Sequence, residues 1–469
     1  MPASRAAMMR SLSVPNFRRY FVGSVVSNVG TWMLRTAQAW VVLQLGGGLG
    51  VALGVVTALQ FGPTMVFSVW AGALSDRYDK ATILAITQSL IATTSLVLAV
   101  LDVAGLLTLL LVYVLALAGG IITAFDVPVR QSFSTELVGR ENVVNAVGLN
   151  SASFNAARLV GPLVAAVVIG LVGTWVCFLL AGLSGAAIVF SLIGIDRSQL
   201  HRRPPAPGAP VGSWNAGFVA VWRSPLLLSL VGLSSLAFAA GSNSVQVVLP
   251  IIATVDFGGS ALGFGFLTAA LAGGGLIGAL VASASAGIPR VRWVVVGALA
   301  FGVACVVTSF MPTFLSFSAG LLVVGMCFMT FVVMANTVIQ LGAPPDVRGR
   351  VVAVYMMFAM GGGALGSPLL GALSDWFSPT RAITISGTAV ALAALAVGLR
   401  LWLAANDGPI LSDAEARMPG ELDLVPEVDD LGGLIDPKAE PRPIHLPAVP
   451  PARQASCAGG GSPPAKFAG

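Results

Sequence analysis

The residues from Gly50 to Leu101 read GVALGVVTALQFGPTMVFSVWAGALSDRYDKATILAITQSLIATTSLVLAVL, two long apolar runs joined by a short charged turn. A helix needs about 20 mostly apolar residues to cross a membrane, and each run is long enough. The charged residues of the stretch, Asp76, Arg77, Asp79 and Lys80, lie in the turn. This is expected in a bilayer, because a charge near its centre costs about 2.5–3.5 kcal/mol on insertion scales. The stretch therefore predicts a pair of transmembrane helices.

The rest of the chain repeats this pattern. Of the 469 residues, 56% are hydrophobic and only 10% are charged, whereas about a quarter of the residues in a soluble domain are charged. The first apolar run is too long for the core of a signal peptide, and no small-residue cleavage pattern follows it. We predict an all-α membrane protein with twelve transmembrane helices, at 18–45, 50–74, 82–101, 106–127, 143–171, 174–194, 225–252, 260–287, 293–311, 313–341, 351–376 and 380–403.

The lysines and arginines predict the orientation of these helices. Of the 25, seventeen lie in one set of loops, and only Arg381 lies in the opposite set. Loops rich in Lys and Arg stay in the cytoplasm. We therefore expect a multi-pass protein of the cell (inner) membrane with an even number of spans and with both termini in the cytoplasm.

The loops also predict the domain organisation. A basic, Pro-rich central loop (196–224) separates an N-terminal six-helix bundle (1–195) from a C-terminal six-helix bundle (225–404). The segment 405–469 is acidic and rich in Pro and Gly, which predicts a disordered cytoplasmic tail; it is either a partner or regulatory segment or a solvated extension. An internal repeat relates the halves, since two motifs recur 206 residues later: Gly72-Ala73-Leu74 as Gly278-Ala279-Leu280, and Gly161-Pro162 as Ser367-Pro368.

The turn after the second helix carries a recognisable motif, GALSDRYDK from Gly72 to Lys80. It resembles the loop signature of the major facilitator superfamily, although Asp79 stands where that family usually has Gly. The resemblance implies that the Asp76 carboxylate approaches the amino end of the eleventh helix, where negative charge is favoured. It also implies coupling to an acidic residue at the end of the fourth helix, which is Asp126. We expect Asp76, Arg77 and Asp126 to form a cytoplasmic latch between the halves; the alternative is a solvated turn with orienting charges.

A second motif lies in the fifth predicted helix, where Gly148, Gly161 and Pro162 match the antiporter signature of the same superfamily. Alanines stand in its other glycine positions and keep the helix surface small. Proline removes a backbone hydrogen bond and kinks a helix, and the family associates this bend with export by antiport. Pro368 is the corresponding helix-bend residue of the second half.

The run from Asp126 through Pro162, which includes Arg130, looks like the drug-exporting subfamily that includes macrolide efflux pumps and the enterobactin exporter. The opening runs Asn16–Tyr20 and Ser27–Trp32 resemble the same subfamily. The similarity covers about residues 14–405. It implies the major facilitator fold of two six-helix pseudo-repeats, with a cargo site between them. It also adds Arg130 to the gating and coupling candidates. It does not imply a particular cargo, because one fold hosts many.

Polar residues inside the predicted helices are the cargo-binding candidates. Asn28, Thr31, Arg35 and Gln38 recur at helical spacing and share one face of the first helix. Arg35 lies about sixteen residues from the cytoplasmic end, roughly 24 Å deep, so it should face a protein interior or an aqueous cavity; pairing with helix-end carbonyls or lipid is the alternative. Similar positions on the fifth, seventh and tenth helices are Asn155, Arg158, Asn243, Gln246 and Gln340.

The energy source is predicted to be an ion gradient, since the chain lacks a Gly-x4-Gly-Lys-Ser/Thr nucleotide-binding loop. Asp126 is the leading proton carrier, because Asp102, Asp256 and Asp375 are predicted near the outer face. The expected partners are a small-molecule cargo, a proton and the bilayer, with no cofactor, no nucleic acid and a monomeric state. No nucleophile–base constellation or metal-ligand spacing occurs, so neither an enzyme nor a metal site is predicted.

Three functions compete at this point. The first is a proton-linked exporter of a lipophilic or amphiphilic molecule of the drug or siderophore class. The second is a lipid flippase or an importer of the same fold. The third is a membrane sensor or scaffold that has lost transport, for which the acidic tail would supply the partner-binding segment.

Overall fold

The computed structural model describes residues 10–201, 215–241, 244–284, 291–344 and 347–406. These residues form helices and connecting turns, and no strand occurs among them. The predicted tail lies outside the described residues from position 407 onward, as does the central loop between 202 and 214. The α-helices are α1 (Pro15–Leu45), α2 (Gly50–Arg77), α3 (Lys80–Val103), α4 (Leu109–Glu136), α5 (Val143–Leu171), α6 (Thr174–Ile193), α7 (Asn215–Arg223), α8 (Pro225–Ala240), α9 (Ser244–Ile251), α10 (Ala261–Ala284), α11 (Val291–Ser309), α12 (Phe314–Gly342), α13 (Arg348–Trp376) and α14 (Pro379–Asn406).

This architecture confirms the predicted fold class of an all-α, multi-span membrane protein. In the described part of the chain, ten helices are long and apolar enough to cross a membrane. The first helix, α1, is not one of the ten, because it carries Arg18, Arg19 and Arg35 together with several amide side chains. The seventh predicted span is divided between α8 and α9, and a π-helical turn, Ile252–Asp256, follows α9.

Local sequence signals set the helix ends. Asp79, the departure from the superfamily loop, caps α3: its carboxylate accepts hydrogen bonds from the Thr82 N–H at 3.1 Å and the Thr82 hydroxyl at 2.8 Å. Pro15 and Pro225 open α1 and α8, at a position where the missing N–H has no helical partner. A short amphipathic helix, α7, meets α8 at a bend of 102°.

Small residues let the helices pack closely. A Cβ on Gly274 of α10 would overlap the carbonyl oxygen of Leu322 on α12, so these two backbones touch directly. The N-terminal half (α1–α6) meets the C-terminal half (α7–α14) mainly along two helix pairs, α2 with α13 and α5 with α10, and α9 also contacts α1 and α2. Membrane helices associate through such close contacts between small residues, which explains the abundance of glycine inside the apolar runs.

Gly274→Ala is expected to destabilise the protein by about 1–3 kcal/mol, because an added methyl group would overpack the α10–α12 contact. Denaturant unfolding in detergent, followed by circular dichroism, measures this change. The neighbouring substitution Gly273→Ala is the control, since its Cβ would have only the Leu159 Cδ1 atom nearby, at 4.0 Å. Equal losses from both substitutions would contradict the packing explanation.

Candidate functional site

The polar face of α1 lines a cavity. Thr31, Arg35 and Gln38 line it, together with Gln60 of α2. The other lining residues are apolar, small or hydroxyl-bearing and belong to α1, α3 and α4: Leu34, Ile91, Thr94, Leu98, Leu115, Ala116, Gly119, Gly120 and Thr123. The cavity is therefore enclosed by helices of the N-terminal half.

Arg35 is the cation of this cavity, and aromatic rings hold it. Its guanidinium carbon lies 4.5 Å from the centroid of the Phe61 ring and 5.1 Å from that of Trp32. Such contacts contribute about 0.5–2 kcal/mol, more where water is excluded. Within the described residues no carboxylate forms an ion pair with Arg35. Beside it, the Gln60 amide donates a hydrogen bond of 2.7 Å to the Gln38 carbonyl oxygen.

A second cavity lies between the halves. Asn155 and Arg158 of α5 line one side, and residues of α10 to α12 together with Gly241 line the other. The Arg158 guanidinium carbon lies 5.7 Å from the Trp32 ring centroid, so both predicted arginines contact the same indole. In this conformation Arg35 and Arg158 line two separate cavities, whereas the prediction was one cargo site between the halves.

The remaining predicted cargo residues lie outside both cavities or outside the described residues. Asn28 lines neither cavity; its amide donates a hydrogen bond to the Ser153 hydroxyl at 3.3 Å and ties α1 to α5. Gln340 also lies outside both cavities, and it donates to the Asn336 side chain at 3.1 Å. Asn243 lies outside the described residues, as does the side chain of Gln246.

Asp126 lies in a buried polar network between α1, α3 and α4, and only 4% of its surface is exposed. One carboxylate oxygen accepts hydrogen bonds from the Thr87 hydroxyl and the Gln88 amide, both at 2.8 Å. The other accepts two from the Arg130 guanidinium, both at 3.0 Å. The Ser27 hydroxyl, on α1, donates to the Gln88 carbonyl oxygen at 2.8 Å, so the network continues to the helix that carries Arg35.

Among the described residues, the hydrogen-bond partners of Asp126 all lie in the N-terminal half. Arg130, four residues further along the same helix, neutralises its buried charge. Gly72, Asp76 and Arg77 lie in the last turns of α2, and the side chains of Asp76 and Arg77 lie outside the described residues. The latch of Asp76, Arg77 and Asp126 between the halves therefore stays a prediction.

The predicted helix-bend residues lie inside continuous helices, Pro162 in α5 and Pro368 in α13. Gly161 provides the contact between α5 and α1, because a Cβ there would lie 2.5 Å from the Trp32 Cβ. Gly148 has no neighbouring atom within 4 Å of such a Cβ. The structure thus assigns Gly161 a packing role and leaves the bending role of all four residues a prediction.

Sequence reasoning missed several members of the site. Trp32 and Phe61 were not predicted to contact Arg35, and Gln60 and Gln88 were not predicted to be polar residues of the cavity and the network. Gln60 and Gln88 carry a signal, since each is an amide in the middle of an apolar run, where polar groups need a partner. In the described part of the chain, no group of three or more His, Cys, Asp or Glu side chains could hold a metal ion.

Comparisons with known proteins agree with this architecture. Residues 6–433 match the family described as transmembrane secretion effector. The chain is 25% identical over 381 residues to the enterobactin exporter EntS of Shigella boydii serotype 18, covering 80% of this chain and 88% of that protein. It is 30% identical over 153 residues to the staphyloferrin A transporter of Staphylococcus aureus, covering 32% of this chain and 38% of that transporter.

A solved structure shows the same fold. A bacterial homologue of the human lysosomal transporter Spinster, in an inward-facing and occupied conformation, superposes with a TM-score of 0.65 at 14% identity, covering 83% of this chain and 96% of that one. The relatives are transporters rather than enzymes, in agreement with the predicted lack of a catalytic site. The chain belongs to the transmembrane secretion effector family and is a multi-span membrane transporter of the major facilitator type.

Proposed function

We propose that this transporter exports an anionic, partly aromatic or amphiphilic small molecule of the siderophore class from the cytoplasm. The observation that carries the proposal is Arg35, a guanidinium deep in a membrane helix that lines a cavity and stacks on aromatic rings without a carboxylate partner in the described residues. A buried cation needs an opposite charge, and a cargo carboxylate or catecholate supplies it. Drugs of the same charge class are the broader alternative cargo.

The names of the relatives support this cargo class and direction. One relative over most of the chain is named an enterobactin exporter, and a shorter match is named a staphyloferrin A transporter. The cavity chemistry fits molecules of this kind, because guanidinium groups bind planar anions through paired hydrogen bonds. The rings of Trp32 and Phe61 would lie against an aromatic or apolar part of the cargo.

Transport proceeds, in this proposal, by alternating access between two six-helix halves, 1–195 and 225–404. Helices α2 and α13 and helices α5 and α10 form the contacts that must rearrange. The arginine-rich loops face the cytoplasm, so both termini do as well. The chain needs no cofactor, and one copy holds both halves of the site.

Export is coupled to proton entry through Asp126 in this scheme. The carboxylate is buried, yet it is linked through Gln88 and Ser27 to the helix that carries Arg35. Protonation would neutralise Asp126 and weaken its pair with Arg130, which would change the packing of α1, α3 and α4. Cargo exit and proton entry thereby become parts of one cycle.

The test is an accumulation assay with siderophores in a host that lacks its own exporters. Cells that express the protein are expected to retain less enterobactin or staphyloferrin A than cells without it. Inverted membrane vesicles that are given a proton gradient should take the same molecule up, because their cytoplasmic face is outside. Uptake by right-side-out vesicles instead would indicate an importer, and no movement of any anionic cargo would reject the proposal.

A further inference from the structure

Asp375 makes a contact between the two halves that the proposed transport cycle has not used. It lies in the last turn of α13, at the membrane side opposite the arginine-rich loops. One carboxylate oxygen accepts a hydrogen bond from the Gly50 N–H at 2.6 Å, and the other accepts one from the Val51 N–H at 2.9 Å. These are the first amides of α2, which have no partner within their own helix. A carboxylate at this end also interacts favourably with the helix dipole.

The backbones of α2 and α13 touch each other beside Asp375. A Cβ on Gly50 would lie 2.6 Å from the Gly371 carbonyl oxygen, and a Cβ on Gly371 would overlap the Gly50 carbonyl oxygen. One turn further along, a Cβ on Gly54 would lie 2.5 Å from the Pro368 Cα. Helices α2 and α13 are thus in direct backbone contact at the end that holds Asp375.

The sequence around Asp375 has a duplicate in the chain. Gly371–Asp375 reads GALSD, and Gly72–Asp76, the core of the superfamily loop motif, reads the same five letters. The first copy lies near the end of α2 and the second near the end of α13, and these two helices form one of the pairs that join the halves. Since Asp375 contacts the start of α2, the two helices run antiparallel, and the two copies lie at opposite ends of the pair.

We propose that Asp375 and the start of α2 form an outer latch that holds the transporter closed on the extracellular side and must break before cargo is released there. The proposal rests on the alternating access proposed above. Two hydrogen bonds to an ionised carboxylate stabilise the closed state, and the contact spans the halves whose separation opens the site. A carboxylate whose only role was to cap α2 could come from the same half as α2, whereas Asp375 comes from the other half.

The test measures the separation of the halves without any cargo. Spin labels are placed on Leu106→Cys and Phe310→Cys, whose native side chains are 62% and 75% exposed, in full-length protein whose four cysteines are replaced. These positions lie in outer turns of different halves. In lipid nanodiscs, Asp375→Asn is expected to raise the ratio of open to closed distances about tenfold, because an amide accepts only one of the two hydrogen bonds.

Asp102→Asn is the matched control, since Asp102 is an outer carboxylate that accepts its hydrogen bond from Thr174 within the N-terminal half. It should leave the distances unchanged. Gly371→Ala supplies a second variant that must also open the outer side, because its methyl group would separate α2 from α13. Gly170→Ala is the control for Gly371→Ala and should leave the outer side closed, because the nearest atom to its added Cβ would be the Leu262 Cγ, at 3.9 Å.

Wild-type distances in folded Asp375→Asn or Gly371→Ala protein would overturn the outer latch. Because the measurement needs no substrate, it separates this inference from the proposed export. If the wild-type protein moved no siderophore but the two variants still shifted the distances, the cargo assignment would be rejected and the latch would stand. If the wild-type protein exported siderophore but the variants left the distances unchanged, the latch would be rejected and the cargo assignment would stand.

Discussion

Arg35→Ala is expected to weaken cargo binding by about tenfold to a hundredfold and to lower export in proportion. The substitution removes the cation of the cavity lined by α1, and a hydrogen bond to a charged group contributes about 1.5–3 kcal/mol. The loss should fall on anionic cargoes and spare a neutral analogue of the same shape. Equilibrium binding of the cargo found in the accumulation assay, measured by calorimetry on purified protein, gives the affinity directly.

Two further substitutions make this result specific. Arg35→Lys keeps the charge but not the planar guanidinium that stacks on Phe61 and Trp32, so an intermediate affinity is expected. Arg400→Ala, at the exposed end of α14, removes a charge of the same sign far from either cavity and should leave binding unchanged. Wild-type affinity for an anionic cargo in folded Arg35→Ala protein would contradict the assignment of the cavity.

Periodicity predicted the helices and the first residues of the site, because both depend on local sequence. The positions Thr31, Arg35 and Gln38 follow helical spacing, and the structure places all three on one cavity. The division of the site into two cavities could not be predicted from helical spacing. It depends on how closely α5 approaches α1 at Gly161, which is a property of tertiary packing.

Charged residues show the same limit. The pair of Asp126 with Arg130 is readable from a spacing of four residues on one helix. The hydrogen bonds from Thr87 and Gln88 to Asp126 are not readable from the spacing, because these two residues belong to a different helix, α3. The resemblance to the superfamily implied a latch between the halves at Asp126, which stays a prediction. The Asp375 contact between the halves was not predicted, because it depends on how α13 packs against the start of α2.

Asp126→Asn is expected to abolish proton-coupled export, because an amide cannot take up and release the proton that drives the cycle. It is also expected to reduce stability by about 3–5 kcal/mol, since it leaves the Arg130 guanidinium buried without its counter-charge. Export by vesicles across a series of imposed proton gradients measures the first effect. Thermal unfolding of the purified protein measures the second.

The double substitution Asp126→Asn with Arg130→Gln separates the two roles of the pair. The double variant no longer buries an unpaired cation, and replacing a buried ion pair by neutral groups often leaves stability unchanged. The double variant should therefore regain most of the lost stability. Export driven by a proton gradient should remain absent, because the titratable group is missing in both variants. If the double variant recovered gradient-driven export together with its stability, Asp126 would serve only to neutralise Arg130. The proton would then have to be carried elsewhere in the chain.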